Sequence, residues 1–117
     1  MPAYAAAHIR SITMGPEIVG YIRRIDETLP PFGGRFLSHG KTPEVVEGEW
    51  PGHLVLIEFP DIGQARAWYH SPAYQAILPL RTRHSEGSAI LLDGVGPGYR
   101  AADFLVSLGI TGNASSD

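Results

Sequence analysis

The stretch from Ala67 through Trp68, Tyr69, His70, Ser71 and Tyr74 to Arg81 gathers indole, phenol, imidazole, hydroxyl and guanidinium groups into one helix-turn-helix segment. Tyr74, Leu78 and Arg81 follow i, i+4, i+7 spacing, so they share a helix face and set a hydroxyl and a cation beside apolar surface. Such a face suits an anionic or carbonyl-bearing ligand. Trp68, Tyr69 and Ser71 join Tyr74 and Arg81 as the substrate-binding candidates. Pro79 interrupts the run and predicts a kink. A plainer account stands beside this one: large aromatics dominate cores, which makes Trp68 and Tyr74 packing residues and Arg81 an ion-pair partner.

His39 and Glu47 are the catalytic candidates, on opposite arms of an expected hairpin. A histidine beside a carboxylate gains the tautomer control and basicity that proton transfer needs. A register slip of one residue separates them, leaving a rim histidine and a surface glutamate. Glu47-Gly48-Glu49-Trp50 brings two acids together, yet neighbouring carboxylates at a hairpin end are usually solvated. His8 and Arg10 project from one face of the first strand, either into an interior or at its edge. The five histidines, at 8, 39, 53, 70 and 84, show no H-E-x-x-H or other short ligand spacing, so neither a metal nor another cofactor is expected. Asp93-Gly94-Val95-Gly96-Pro97-Gly98 misses the dinucleotide spacing and reads as a linker. Ser71 lacks a nucleophile elbow, and its place before Pro72 makes it a helix cap.

The elements that must position these groups follow from periodicity. Residues 3 to 12 read as a strand, with Tyr4, Ala6, His8, Arg10 and Ile12 on one face; the alanines weaken that reading. Pro16 opens a helix whose Ile18, Ile22, Ile25 and Leu29 fall at helical spacing, and Pro30-Pro31 ends it. Arg35 to His39 and Val45 to Gly48 read as the two strands of the hairpin. His53 to Phe59 is the clearest strand and is apolar on both faces. Asp61, with Gln64 three residues on, resembles a capping box opening a helix to about His70, and Ser71-Pro72 starts another. Ala89 to Asp93 is the last strand. Beyond Val95 a linker, a short apolar helix over Tyr99 to Leu108 and a disordered polar tail from Thr111 to Asp117 are expected.

This order predicts an α+β fold of the ferredoxin-like split βαβ type, a sandwich in which both main helices lie on one side of the sheet. A central strand that is apolar on both faces then needs a second cover, and a second copy of the chain supplies it. The domain spans 1 to 94 and the extension 95 to 117. With 44% apolar and 18% charged residues and a formal charge of −3, one soluble domain without a phosphate-tracking basic stripe is expected, so nucleic acid is not a partner. No cysteine is present, which excludes disulfides, thiolate nucleophiles and Cys-ligated metals. No apolar run reaches membrane length and no signal peptide is evident, so a cytoplasmic protein is expected.

Several motifs resemble one family when taken in order: Gly33-Gly34-Arg35-Phe36-Leu37, Glu47-Gly48-Glu49-Trp50, Ile57-Glu58-Phe59-Pro60, Ala67-Trp68-Tyr69, Ser71-Pro72-Ala73-Tyr74-Gln75 and Leu80-Arg81. Over about residues 3 to 94 the chain resembles the domain-of-unknown-function family 1330. The resemblance implies a ferredoxin-like domain that dimerises as an α/β barrel, and it implies no established activity. The wider superfamily includes cofactor-independent monooxygenases, muconolactone isomerase-like enzymes and haem-handling proteins, among which fold does not choose. Glu47, Trp68, Tyr69, Ser71, Tyr74 and Arg81 match recurrent motif positions; His39 stands where many members carry arginine or another polar residue. The chain departs from the pattern at Gly15-Pro16-Glu17, where Asp-Pro-Glu is more familiar, and in its longer tail. The expected function is that of a homodimer with a small-molecule pocket, acting either as an enzyme on a small organic molecule or as a non-catalytic binding or assembly module.

Overall fold

The structure, a computed structural model, describes residues 1–110 of the 117. The expected disorder of Thr111 to Asp117 lies outside the described residues. The chain runs β1 (Ala3–Ile12), α1 (Pro16–Thr28), a 3-10 turn (Pro30–Phe32), β2 (Arg35–Ser38), β3 (His53–Phe59), α2 (Ile62–Tyr69), α3 (Pro72–Thr82), β4 (Ser85–Asp93) and α4 (Ala101–Ser107). The four strands form one antiparallel sheet in the order β2-β3-β1-β4, the split βαβ topology of a ferredoxin-like α+β fold. The sheet is open, with β2 and β4 at its edges, so a single chain does not close a barrel.

Register decides what the helices cover. Ala5 lies opposite Ile57 on one side and Leu91 on the other, which puts Ala3, Ala5, Ile9, Ile57, Phe59 and Leu91 on one face. Onto this face pack Tyr21, Ile25 and Leu29 from the α1 region, Ala65 and Trp68 from α2, and Tyr74 and Ile77 from α3. α1 turns slightly from its expected orientation: Ile18, Tyr21, Ile25 and Thr28 are buried, while Ile22 is exposed. Tyr21 stands three residues after Ile18 and four before Ile25, so it takes the inward stripe. Local caps hold the other helices as expected. The Asp61 carboxylate accepts from the Gln64 amide at 2.8 Å, and the Ser71 hydroxyl accepts from the Tyr74 amide at 3.2 Å.

The expected hairpin does not form. Arg35–Ser38 pairs instead with β3, through Arg35 opposite Glu58 and Phe36 opposite Ile57, and residues 45–48 pair with no strand. β3 offers a longer apolar run, a covered position for Phe36 and an ion pair of 2.7 Å between Arg35 and Glu58. Against that, Val45 and Val46 are two residues followed closely by Gly48, whose φ of 72° ends any extended run. The last strand begins at Ser85, four residues earlier than its apolar run indicates, because β1 is long enough to pair with it as far as Ile12.

Segment 40–52 crosses the sheet's second face. There the His8 ring stacks on Trp50 with centroids 4.0 Å apart and planes 20° apart, and His8 Nε2 lies 2.8 Å from the Pro51 carbonyl. A carbonyl only accepts, so Nε2 carries the proton. On the same face Ile90 and Leu92 of the edge strand are exposed, while Tyr4, Ala6, Leu54 and Leu56 are half-buried. Beyond β4 the chain leaves the body: every residue of α4 is exposed, and the radius of gyration of 17.6 Å exceeds the ~13–14 Å of a compact chain of this length.

Candidate functional site

Between the helices and the covered face of the sheet lies a cavity of about 340 Å³. Its sheet side is made of small residues, Ala5, Ala7 and Ala89, with Ile9, Val55 and Ile57 around them. Its helical side brings Tyr21 and Ile25 from α1, Trp68 and Tyr69 from α2, and Tyr74 and Arg81 from α3, while Phe36 and His39 close the β2 end. The wall is predominantly apolar and aromatic, with a few convergent polar groups, the usual make-up of a small-molecule site.

Those polar groups are ordered by α1 and α3. The Tyr21 and Tyr74 hydroxyls lie 2.7 Å apart, and the Arg81 guanidinium carbon sits 5.6 Å from the centre of the Tyr21 ring. Burial pushes the Tyr21 phenol far above its ordinary range, Tyr74 adds to the shift through charge and hydrogen bonding, and Arg81 opposes it. Burial works against the charge on Arg81, but the attraction of Tyr74 and then Tyr21 more than offsets it, so the guanidinium stays protonated. Among the described residues no carboxylate lies within 4.0 Å of Arg81; the ion pairs are Arg35–Glu58 and His84–Glu17. Pro79 sits inside α3 and the helix runs through it to Thr82, so Tyr74 and Arg81 do share a face and both line the cavity.

The other candidates take distinct places. Trp68 is buried at 3% exposure and lines the cavity, while its Nε1–H donates to the Thr28 hydroxyl at 2.8 Å. It is a core residue and a wall residue at once, because the core and the cavity are continuous. Tyr69 is half-buried on the wall. Ser71 is buried, caps α3 and donates to the Trp68 carbonyl at 2.7 Å, so its hydroxyl is engaged locally. His39 lines the cavity with its ring 5.1 Å from that of Phe36. Glu47 is exposed in the irregular segment 40–52 and is not on the cavity wall. The hairpin that would join it to His39 is absent.

Sequence reasoning missed Tyr21 and named His70 only as part of its segment, not as a candidate; both are on the lining. The signal for Tyr21 was its spacing to Ile18 and Ile25. For His70, the residue capping α2 at its C-terminal end, no local pattern announces which way the ring faces. Among the described residues no cluster of three or more metal-ligating side chains occurs, and no helix is long and apolar enough to cross a membrane.

The model of the family described as a domain of unknown function, DUF1330, matches residues 2–95. The chain belongs to the DUF1330 family. No curated protein matches its sequence. Among solved structures, this DUF1330 chain is similar to RPA0582, a protein of unknown function from Rhodopseudomonas palustris, with 15% identity, coverage of 82% of this chain and 84% of that one, and a TM-score of 0.60. It is similar as well to a dimeric ferredoxin-like protein of unknown function from Jannaschia sp. CCS1, at 15% identity, 82% and 100% coverage, and a TM-score of 0.59. A third similar structure is SnoaB, a cofactor-independent oxygenase from Streptomyces nogalater, at 11% identity, 85% and 96% coverage, and a TM-score of 0.51. At these identities the likeness is one of fold alone.

Proposed function

We propose that this DUF1330 protein binds a small, largely apolar organic molecule carrying one anionic group, with the anion at Arg81. One observation carries the reading: a half-buried guanidinium without a carboxylate partner among the described residues stands beside the Tyr21–Tyr74 hydroxyl pair on an otherwise apolar wall. One hydroxyl proton is used within that pair, and the other is free to donate to the same anion. Trp68, Tyr69 and Tyr74 supply the flat apolar contact, and Ser71 supports the site by holding the start of α3.

Tryptophan fluorescence and thermal unfolding, followed against 4-phenylbutyrate and its neutral amide, test this. The carboxylate is expected to bind saturably and more tightly than the amide, and Arg81→Met is expected to weaken the carboxylate by about tenfold or more, the scale of a charge-assisted hydrogen bond. Equal binding of acid and amide, unaffected at Arg81, overturns the reading.

A catalytic role is the second reading, favoured by His39 on the cavity wall. In it His39 moves the proton, and Glu47, exposed and off the cavity wall, is tested as its partner. Mass spectrometry of incubated ligands, repeated with His39→Gln and Glu47→Gln, separates turnover from binding.

We further propose a homodimer through the open sheet face, giving the two-chain barrel. Exposed Ile90 and Leu92 support it, as does the dimeric state of the Jannaschia structure. Light scattering should find a dimer at micromolar concentration and a monomer for the Ile90→Asp, Leu92→Asp double variant; a wild-type monomer rejects the pairing. We also propose a cytoplasmic location, which cell fractionation checks.

A further inference from the structure

We infer that Ala7 and Ala89 gauge the ligand: their methyl groups form the floor on which the apolar body of an arylalkyl anion rests while its charge lies at Arg81. The inference rests on the anion-binding reading above and adds which residues set the ligand's size and which class of body they accept.

The argument begins with register. Ala7 and Ala89 are directly opposite each other in the β1–β4 ladder, one pleat from the Ala5–Leu91 pair that faces the helices. Opposite residues share a face and alternate residues return to it, so both alanines point to the helical side. Middle positions of a covered strand ordinarily hold β-branched or aromatic side chains. Here Ala7 is half-buried and Ala89 exposed, and Val55 opposite Ala7 is half-buried too, although Ile9 one pleat along β1 and Ile57 opposite Ala5 are 5% and 3% exposed. The helical layer therefore bridges this part of the sheet without touching down on it, and both residues line the resulting space.

Gly87, the next small residue on β4, has a different cause. A Cβ there would collide with the His8 carbonyl oxygen, so backbone approach demands glycine. Ala7 and Ala89 already carry a Cβ, and a longer side chain at either would extend into the cavity. At about 340 Å³ the space is near the lower end of small-molecule sites. Its facing wall of Tyr21, Trp68 and Tyr74 rings, with Phe36 at the β2 end, offers flat contacts. One aromatic ring on a short chain ending in a carboxylate or sulfonate matches both features.

Fluorescence titration of benzoate, 3-phenylpropionate and 4-phenylbutyrate into the wild type, Ala7→Val and Ala89→Val tests the inference, with thermal unfolding confirming each fold. Both variants are expected to stay folded, to hold benzoate as the wild type does, and to bind 4-phenylbutyrate about tenfold or more weakly, the discrimination that one or two methyl groups in an apolar pocket give. Unchanged preference along the series overturns the gauge while leaving Arg81's role standing, and so does equal loss for all three acids. Unfolding of both variants overturns it as well, because it means that the space above the alanines cannot take a methyl group. If the wild type binds none of the acids, the anion-binding reading itself fails.

Discussion

The hydroxyls of Tyr21 and Tyr74, 53 residues apart in the chain, meet at 2.7 Å and join α1 to α3 on the helical wall of the cavity. Their rings stand edge to face, 6.2 Å apart at 70°, and are 9% and 2% exposed. With so little water at hand, each hydroxyl is the other's principal partner.

Removing one member of this pair strands the other. Tyr21→Phe and Tyr74→Phe should each lower unfolding free energy by about 1–3 kcal/mol, the cost of an unsatisfied buried hydroxyl. The double variant should cost less than the sum of the two, with a coupling of about 0.5–3 kcal/mol in urea denaturation. Strict additivity would show that the contact contributes nothing.

The same pair makes stability sensitive to alkali. The folded Tyr21 phenol holds its proton well above the ordinary value of 10.0, first through burial and then through Tyr74. Below that ordinary value the phenol is protonated in both states and its contribution is fully present. Above it the unfolded chain releases a proton that the folded chain keeps, so stability falls as pH rises toward the folded value. Denaturant midpoints measured from pH 8 upward should decline beyond about pH 10, and Tyr21→Phe should flatten that decline.

Thr28 ties the core to the cavity wall. Its hydroxyl donates to the Ile25 carbonyl at 2.7 Å and accepts from the Trp68 indole at 2.8 Å. Thr28→Val keeps the shape but leaves the indole N–H buried without its partner, an expected loss of about 1–3 kcal/mol, whereas Thr28→Ser retains the oxygen and should cost less. A loss for Thr28→Val no larger than that for Thr28→Ser would show that the hydroxyl's bonds contribute no more than the packing of the methyl group.

Gly52 governs how segment 40–52 returns to the sheet. It has φ of 84°, and a Cβ would collide with the Ile9 carbonyl oxygen. Gly40 has a similar φ of 73° with open space around it. Gly40→Ala should therefore cost only backbone strain of about 1–3 kcal/mol, and Gly52→Ala distinctly more. The latter should also release the His8–Trp50 stack, visible as a change in tryptophan emission.

Parts of the site were legible from local pattern. Ser71 before Pro72 identified a cap, and i, i+4, i+7 spacing put Tyr74 and Arg81 on one face even through Pro79. Trp68 is packed on one side and borders the cavity on the other, so its place in the core does not remove it from the wall. The alanines of β1 looked like poor strand formers. That Ala7 borders the cavity beside Ala89 was visible only in the pairing, because space under a helix layer is a property of two paired strands.

What the sequence determined by itself is the set of elements whose signals are short-range: β3 by its continuous apolar run, α2 and α3 by their caps, and through its ordered motifs the family and the ferredoxin-like fold. The tertiary structure alone decided that β2 pairs with β3 rather than with residues 45–48, leaving His39 on the cavity wall and Glu47 in an irregular segment. It alone brought Tyr21 to Tyr74 and Arg81. The physical reason is that strand pairing and cavity formation are settled by competition among distant surfaces for burial, and a single segment's periodicity records which face is apolar but not which partner covers it.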